Sequence, residues 1–422
     1  MDRLVIEGGR KLKGTVDISG AKNACLPILA ATILSDCKCI IKNVPSVLKD
    51  ITTMLKLLKV LGMRASIDGQ VVVVEPAKER KFVAPYRLVS TMRASVCVLG
   101  PLIGRLRQAE ISLPGGCIIG PRPIDLHLKG IRALGVDVNI KKGYVIARAK
   151  KLRGANIYLG GHFGSSVLAT ANTLMAAVLA EGRSVIENAA CEPEIQDLAN
   201  FLIKMGSKVK GHGTPRIEVE GVKRLHGAEH TIIPDRIEAG TYMIASAITD
   251  GDIILKGART EHLTAVIDNL NEAGVSVTNV KGGIRVRRKK ALTPVDTTTF
   301  PYPGFPTDMQ AQMMSLMTVT KGISVITEKI YPERFIHISE LNRMGAQIHL
   351  EGPSAIVRGV KQLSGAEIMA SDLRASAALV LAGLAAGGRT NISRIYHLDR
   401  GYERIEWKMT KLGARILREK EI

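Results

Sequence analysis

Leu61-Gly62-Met63 sets an apolar residue and a glycine ahead of a short alternating run. The same punctuation returns as Leu134-Gly135-Val136, Met205-Gly206-Ser207, Ala273-Gly274-Val275, Met344-Gly345-Ala346 and Leu412-Gly413-Ala414. The glycines stand 73, 71, 68, 71 and 68 residues apart, so six units of about 70 residues fill the chain of 422. That period is longer than a solenoid repeat, and each unit is expected to be a small α/β subdomain.

Outward from the glycine, each unit reads alike. A helix rich in small and apolar residues comes first, over residues 24–34, 94–103, 167–180, 237–248, 309–319 and 375–386. Helices apolar around their circumference are buried ones. A β-type run follows, such as Ser184-Val185-Ile186 or Ile253-Ile254-Leu255. An amphipathic helix then leads to the repeat glycine, for example Pro193 to Met205 or Leu263 to Ala273, and alternating strands such as 71–74 and 285–287 come after it. The repeat alone implies no activity.

Composition narrows the classes. With 46% hydrophobic and 23% charged residues the chain is globular, not disordered. Its longest apolar runs, 167–180 and 375–386, are interrupted and fall short of the ~18–20 residues of a membrane span. Six cysteines (25, 37, 39, 97, 117, 191) form no CxxC pair or zinc spacing, and a reduced cytoplasm is the expected location. Lys and Arg number 59 against 39 Asp and Glu, a net charge of +20 that invites an acidic partner.

Some of that charge has a fixed place. Lys22, Arg93, Ser166, Asp235, Asp308 and Arg374 each open the first helix of a unit, 37 to 42 residues ahead of its glycine. Ser19, Ser90, Ser165, Thr307 and Ser371 are the expected caps. If the units are pseudo-symmetric, six helix N-termini converge, and such termini attract phosphate and carboxylate. The residues after these positions are strongly apolar, unlike a solvated charged face. A second feature is the stretch from Leu113 to Pro123, Gly- and Pro-rich around Cys117 and Arg122, which reads as an exposed loop where a thiol near cations becomes reactive. The other five cysteines read as small hydrophobes.

These residues resemble the UDP-N-acetylglucosamine enolpyruvyl transferases (1-carboxyvinyltransferases) of peptidoglycan synthesis. The resemblance runs from residue 4 to about 415. It is carried by Ser19-Gly20-Ala21-Lys22-Asn23-Ala24, Met92-Arg93-Ala94-Ser95, the stretch from Leu113 to His127, Glu192-Pro193-Glu194-Ile195, Pro234-Asp235-Arg236, Phe305 to Gln312, Asp372-Leu373-Arg374-Ala375-Ser376 and Asp399-Arg400-Gly401-Tyr402-Glu403. It implies two inside-out α/β domains of three pseudo-symmetric repeats with the substrate cleft between them. One spans 22–233 and carries the Cys117 loop. The other is discontinuous, 1–21 plus 234–422, because the chain's first strand joins it.

The resemblance also implies roles. Lys22, Asn23, Arg93, Arg122 and Arg400 bind phosphoenolpyruvate. Cys117 acts as general acid and can carry a phosphoenolpyruvate or pyruvate-type adduct, the one covalent group implied; no cofactor or metal is. Arg93, Arg122, Pro123, Ile124, Asp125 and Leu126, with Gly164, Ser165, Ser166 and Val167, line the uridine nucleotide. Asp308 is the candidate base at the sugar 3-hydroxyl, and Ile330 touches the nucleotide sugar. Lys49, His127, Asp235, Arg334, Asp372 and Arg374 support substrate or loop positioning. Leu168, Gly164, Pro121 and Tyr331-Pro332-Glu333-Arg334 depart from the family's usual residues, chiefly on the uridine side and at the lid.

The chemistry fits these residue types. Phosphoenolpyruvate brings a phosphate and a carboxylate, and Arg grips both planar and bidentate. Protonating an enol ether's methylene carbon needs an acid available near neutral pH, and a Cys among cations supplies one. The sister transferase acting on shikimate 3-phosphate lacks a Pro-Gly-Gly-Cys lid. A nucleic-acid binder has the charge and the basic run 285–290 in its favour. Against it stand only 15 aromatics and no recognisable binding motif.

Overall fold

A computed structural model describes residues 2–113 and 124–420. Within it each unit is built in the order strand, helix, strand, helix, strand, strand. The second unit shows the pattern. Strand Val83–Ala84 leads to a 3-10 turn, Arg93–Val98, that runs on as the helix Leu99–Leu106. Strand Gln108–Ser112, helix Asp125–Ala133 and the hairpin Asp137–Lys141 and Tyr144–Arg148 complete it. Gln108–Ser112 lies parallel to Val83–Ala84 and antiparallel to Tyr144–Arg148, which pairs in turn with Asp137–Lys141. Six four-stranded sheets with this strand order stand among the described residues.

Three sheets borrow a strand from far along the chain. Asp2–Glu7 lies between Arg389–Ser393 and Arg415–Lys420, with Leu4 opposite Ile392 and Asp2 opposite Lys420. Lys13–Asp17 supplies the parallel edge beside Asp252–Lys256, and Glu229–Thr231 the edge beside Cys39–Lys42. Contacts divide the described residues into two compact units, 2–19 with 234–420 and 20–113 with 124–233. In one, Asp235 N–H donates to Ser19 O at 2.8 Å; in the other, Ala21 N–H donates to Ile233 O at 2.7 Å.

The repeat glycines have a single conformational cause. Each directly follows the last turn of an amphipathic helix, and Gly62, Gly135, Gly206, Gly274, Gly345 and Gly413 all have φ between +82° and +99°. In each the glycine N–H reaches back to a carbonyl three residues earlier, such as Arg132 O for Gly135. A left-handed residue at a helix end strains any side chain with a Cβ, so only glycine serves there cheaply. The chain then turns into its hairpin. On the central antiparallel strands alternate residues are buried, as with Val145 and Ala147, Ile217 and Val219, Ile284 and Val286. The other sheet face carries ion pairs, and there Arg285 grips Asp252 through two bonds of 2.8 and 2.6 Å. This accounts for part of the basic run 285–290 as a solvated strand face.

The first helices of the units form the cores. In Gln310–Thr318 and in Arg236–Ile248 beyond its first residue, every residue is buried, and Val167–Ala177 is buried from Ala169 on. Small residues permit the close approach: a Cβ on Gly100 would stand 2.2 Å from Asn172 O of the neighbouring helix. Within each compact unit three such helices pack together, with the sheets around them, which is the inside-out α/β arrangement. The capping expectation needs correction. The side chains that accept helix N–H bonds are Ser166 (from Ala169), Asp235 (from Ile237 and Glu238) and Asp372 (from Arg374 and Ala375). Ser165 and Ser371 stand one residue too early, Ser90 closes the turn before it, Ser19 takes the Lys408 ammonium, and Thr307 serves Glu328 and Arg334.

Candidate active site

In the unit holding residues 234–420, the helix starts at 236, 307 and 373 come together around Asp308. Its carboxylate faces two buried guanidiniums, Arg374 at 2.7 Å and Arg334 at 2.9 Å, while the Asp308 side chain stays 27% exposed. Burial pushes the Asp308 carboxyl up, but Arg374 and Arg334 together outweigh it and hold it well below the usual carboxylate range. The group is therefore a permanent anion with one side open. Asp372, expected as a supporting residue, caps the Arg374 helix and so aims Arg374. Asp235 caps the 236–248 helix in the same way.

Sequence reasoning missed the residues behind this pair. Arg374 also donates to the Tyr402 hydroxyl at 3.3 Å, and that hydroxyl bonds Thr241 at 2.8 Å. Gln312 donates to Asp308 O at 2.9 Å and to Thr241 at 3.2 Å. Tyr402 stands in a motif that the resemblance used, yet nothing in its spacing shows that its hydroxyl reaches Arg374. Arg400 closes the 3-10 turn Ile395–Arg400. The preceding Asp399 is gripped by Arg418 through bonds of 2.6 and 3.2 Å, which fixes that turn against the last strand. Ile330 is part-exposed.

In the unit of residues 20–233, Lys22 opens its helix and pairs with Asp50 at 3.0 Å, both nearly buried. Asp50 is the second residue of the helix Lys49–Val60, so this pair joins two helix starts, with Asn23 beside it and Lys49 exposed next to Asp50. Arg93 begins the 3-10 turn of the next repeat. His127 is 2% exposed and meets Asn172 at 2.8 Å. Burial, with Arg93 adding to it, lowers the His127 pKa to about 3, so the ring is neutral at working pH. The ring meets Asn172, which also takes Gly100 N–H and donates to Val96 O. Burial pushes the Cys97 thiol up to about 12, and it is inert as the sequence suggests.

Two of the stretches expected at the nucleotide lie side by side. Ile124 precedes the helix Asp125–Ala133, and Leu126 rests against Gly161, where an added Cβ would come within 2.9 Å of its Cδ1. Gly161 and Gly164 exchange backbone bonds of 3.0 and 3.1 Å, a tight loop in which Gly164 has φ +91° and which delivers Ser165, Ser166 and Val167 to the helix start. Cys117, Pro121, Arg122 and Pro123 lie outside the described residues. Among the described residues no group of three His, Cys, Asp or Glu is placed to hold a metal ion, and no helix is long and apolar enough to cross a membrane.

Known proteins share this fold. The enolpyruvyl transferase NikO from Streptomyces tendae superposes with a TM-score of 0.89 at 25% identity, covering 99% of this chain and 98% of that one. EPSP synthase from Acinetobacter baumannii shares the fold, with a TM-score of 0.74 at 17% identity and full coverage of both chains. The family model for EPSP synthase (3-phosphoshikimate 1-carboxyvinyltransferase) matches residues 6–409. With two inside-out units of three repeats each and a family match over residues 6–409, this is a transferase of the carboxyvinyl class, whose members act on small molecules. UDP-N-acetylglucosamine 1-carboxyvinyltransferase 1 of Caldanaerobacter subterraneus subsp. tengcongensis is 56% identical over 99% of both chains. The UDP-N-acetylglucosamine 1-carboxyvinyltransferase of Nitratidesulfovibrio vulgaris (strain Hildenborough) is 55% identical over the whole of both. At that likeness the chain belongs to the UDP-N-acetylglucosamine 1-carboxyvinyltransferase family.

Proposed function

We propose that this transferase moves the enolpyruvyl group of phosphoenolpyruvate to the 3-hydroxyl of UDP-N-acetylglucosamine, releasing phosphate, as the first committed step of peptidoglycan synthesis in the cytoplasm. The observation that carries the reading is the near-full-length identity to relatives of that name, together with the ionised Asp308 at a helix start. Lys22, Asn23, Arg93, Arg122 and Arg400 take the anionic donor. The uridine nucleotide rests on residues 123–126 and 164–167, with Ile330 at its sugar.

The steps balance as addition and elimination. Cys117 gives a proton to the methylene carbon of phosphoenolpyruvate, leaving a cationic C2. The sugar 3-hydroxyl oxygen bonds to C2 as its proton passes to Asp308. A methyl proton then returns to the Cys117 thiolate as the C2–O(phosphate) bond breaks, which restores the double bond, and the proton held by Asp308 leaves with the phosphate. A carboxylate as weakly basic as Asp308 suits this order, because the hydroxyl becomes acidic only as it bonds to C2. The loop around Cys117 serves to exclude water from that cation.

Proton NMR of a reaction containing both substrates tests the reading. It predicts new vinyl signals on the nucleotide sugar together with stoichiometric phosphate, and their absence contradicts it. An epoxide phosphonate such as fosfomycin is expected to alkylate Cys117 and stop turnover. Peptide mass spectrometry showing the label elsewhere, or full activity after labelling, removes the role given to that thiol.

A further inference from the structure

We propose that Glu328, a residue with no role in the chemistry above, is a positioning residue that sets both the Asp308 clamp and the turn carrying Ile330; this deepens the functional reading and rests on it. The Glu328 side chain is fully buried, and its carboxylate accepts four bonds. Oε1 takes the Thr299 hydroxyl at 2.7 Å and the backbone N–H groups of Ile330 and Tyr331 at 2.8 and 2.9 Å. Oε2 takes the Thr307 hydroxyl at 2.8 Å. Thr299 in turn accepts Lys329 N–H at 2.9 Å, so residues 329–331 are tied at each backbone amide.

The Thr307 bond leads to the reacting centre. A hydroxyl has one proton, and Thr307 gives it to Glu328, so its oxygen lone pairs face Arg334 Nη1 at 2.9 Å. The same nitrogen stands 2.9 Å from Asp308. Glu328, Thr307, Arg334 and Asp308 thus form one directed line, and its first member also fixes the turn of Ile330. An ionised carboxylate supplies four acceptor sites and no donor, which neither Gln nor an apolar residue reproduces. Burying it is costly unless it is hydrogen-bonded, and here residues 299, 330 and 331 bond Oε1 and residue 307 bonds Oε2.

Four variants and a titration test this. Thr307→Val, which cuts the line without removing a charge, is expected to lower kcat about 10-fold, and Thr307→Ser, which restores the hydroxyl, to recover most of that loss. Glu328→Gln is expected to lower kcat and also raise KM for the nucleotide sugar, because the 330–331 turn loosens. Combining it with Thr307→Val should cost less than the product of the two losses. Carbon-13 NMR of the Asp308 carboxyl should show its titration moving up in Thr307→Val as Arg334 loses its tether. Parental kcat in well-folded variants, multiplicative losses, failure of Thr307→Ser to recover, or an unmoved titration each overturns the proposal. If Glu328→Gln does not fold, the Thr307 pair decides. If the parent enzyme releases no phosphate with UDP-N-acetylglucosamine, the functional reading fails, while the carboxyl titration still decides the positioning role.

Discussion

Asp308→Ala lowers kcat by about 10³-fold, the middle of the range for a positioned acid–base group. The expectation rests on place as much as type: this carboxylate is held at 2.7 and 2.9 Å by two guanidiniums yet keeps an open side. Loss of the carboxylate also sets Arg334 and Arg374 against each other, each 6% exposed in its side chain. Removing one partner of a buried charge cluster costs about 3 kcal/mol, and the part exposure of Asp308 brings this nearer to about 2 kcal/mol. Asp308→Asn keeps the shape and loses the charge, so it separates the charge from the packing. The folded-state pKa of Asp308 lies below the unfolded value of about 3.9. The clamp's stabilisation is therefore complete above that value and is lost as pH falls through the folded one. Acid unfolding should steepen below about pH 4 in the parent and flatten in Asp308→Asn. Coincident acid profiles, or near-parental turnover of either variant, would remove the clamped-base account.

Lys22→Met ranks second. The Lys22 ammonium sits at a helix start beside buried Asp50, where its charge adds to the helix's own attraction for an anion. Losing one charge-assisted bond to phosphoenolpyruvate costs about 1.5–3 kcal/mol, a fall of about 10- to 100-fold in kcat/KM for that substrate. KM for the nucleotide sugar should change far less. The fold is also expected to lose about 3 kcal/mol, because Asp50 stays buried without the ammonium it faces at 3.0 Å. Steady-state kinetics and denaturant melts read the two separately. An equal loss for both substrates would show that Lys22 acts through the fold alone.

The repeat was readable because glycine is the cheap residue at a left-handed helix end, and the six glycines used to count units all have positive φ. The buried helices were readable because their polar faces are missing. Borrowed strands were harder: Glu229–Thr231 completes a sheet nearly 200 residues away, and no local pattern shows that. The caps were misread by one position at Ser165 and Ser371, since capping depends on backbone angles that composition does not reveal. Asp308 and Arg374 were singled out by their place in the repeat and Arg334 through the family resemblance, but only the structure shows them as one cluster. Glu328 escaped notice because a lone glutamate in a strand-end segment looks like a solvated residue, whereas here it is fully buried.

Acceptor identity separates this chain from the sister transferase that acts on shikimate 3-phosphate. Phosphate release from phosphoenolpyruvate, measured side by side with UDP-N-acetylglucosamine and with shikimate 3-phosphate, tests it most directly. The account predicts rapid release with the nucleotide sugar and none above background with shikimate 3-phosphate. Release with shikimate 3-phosphate alone would contradict it.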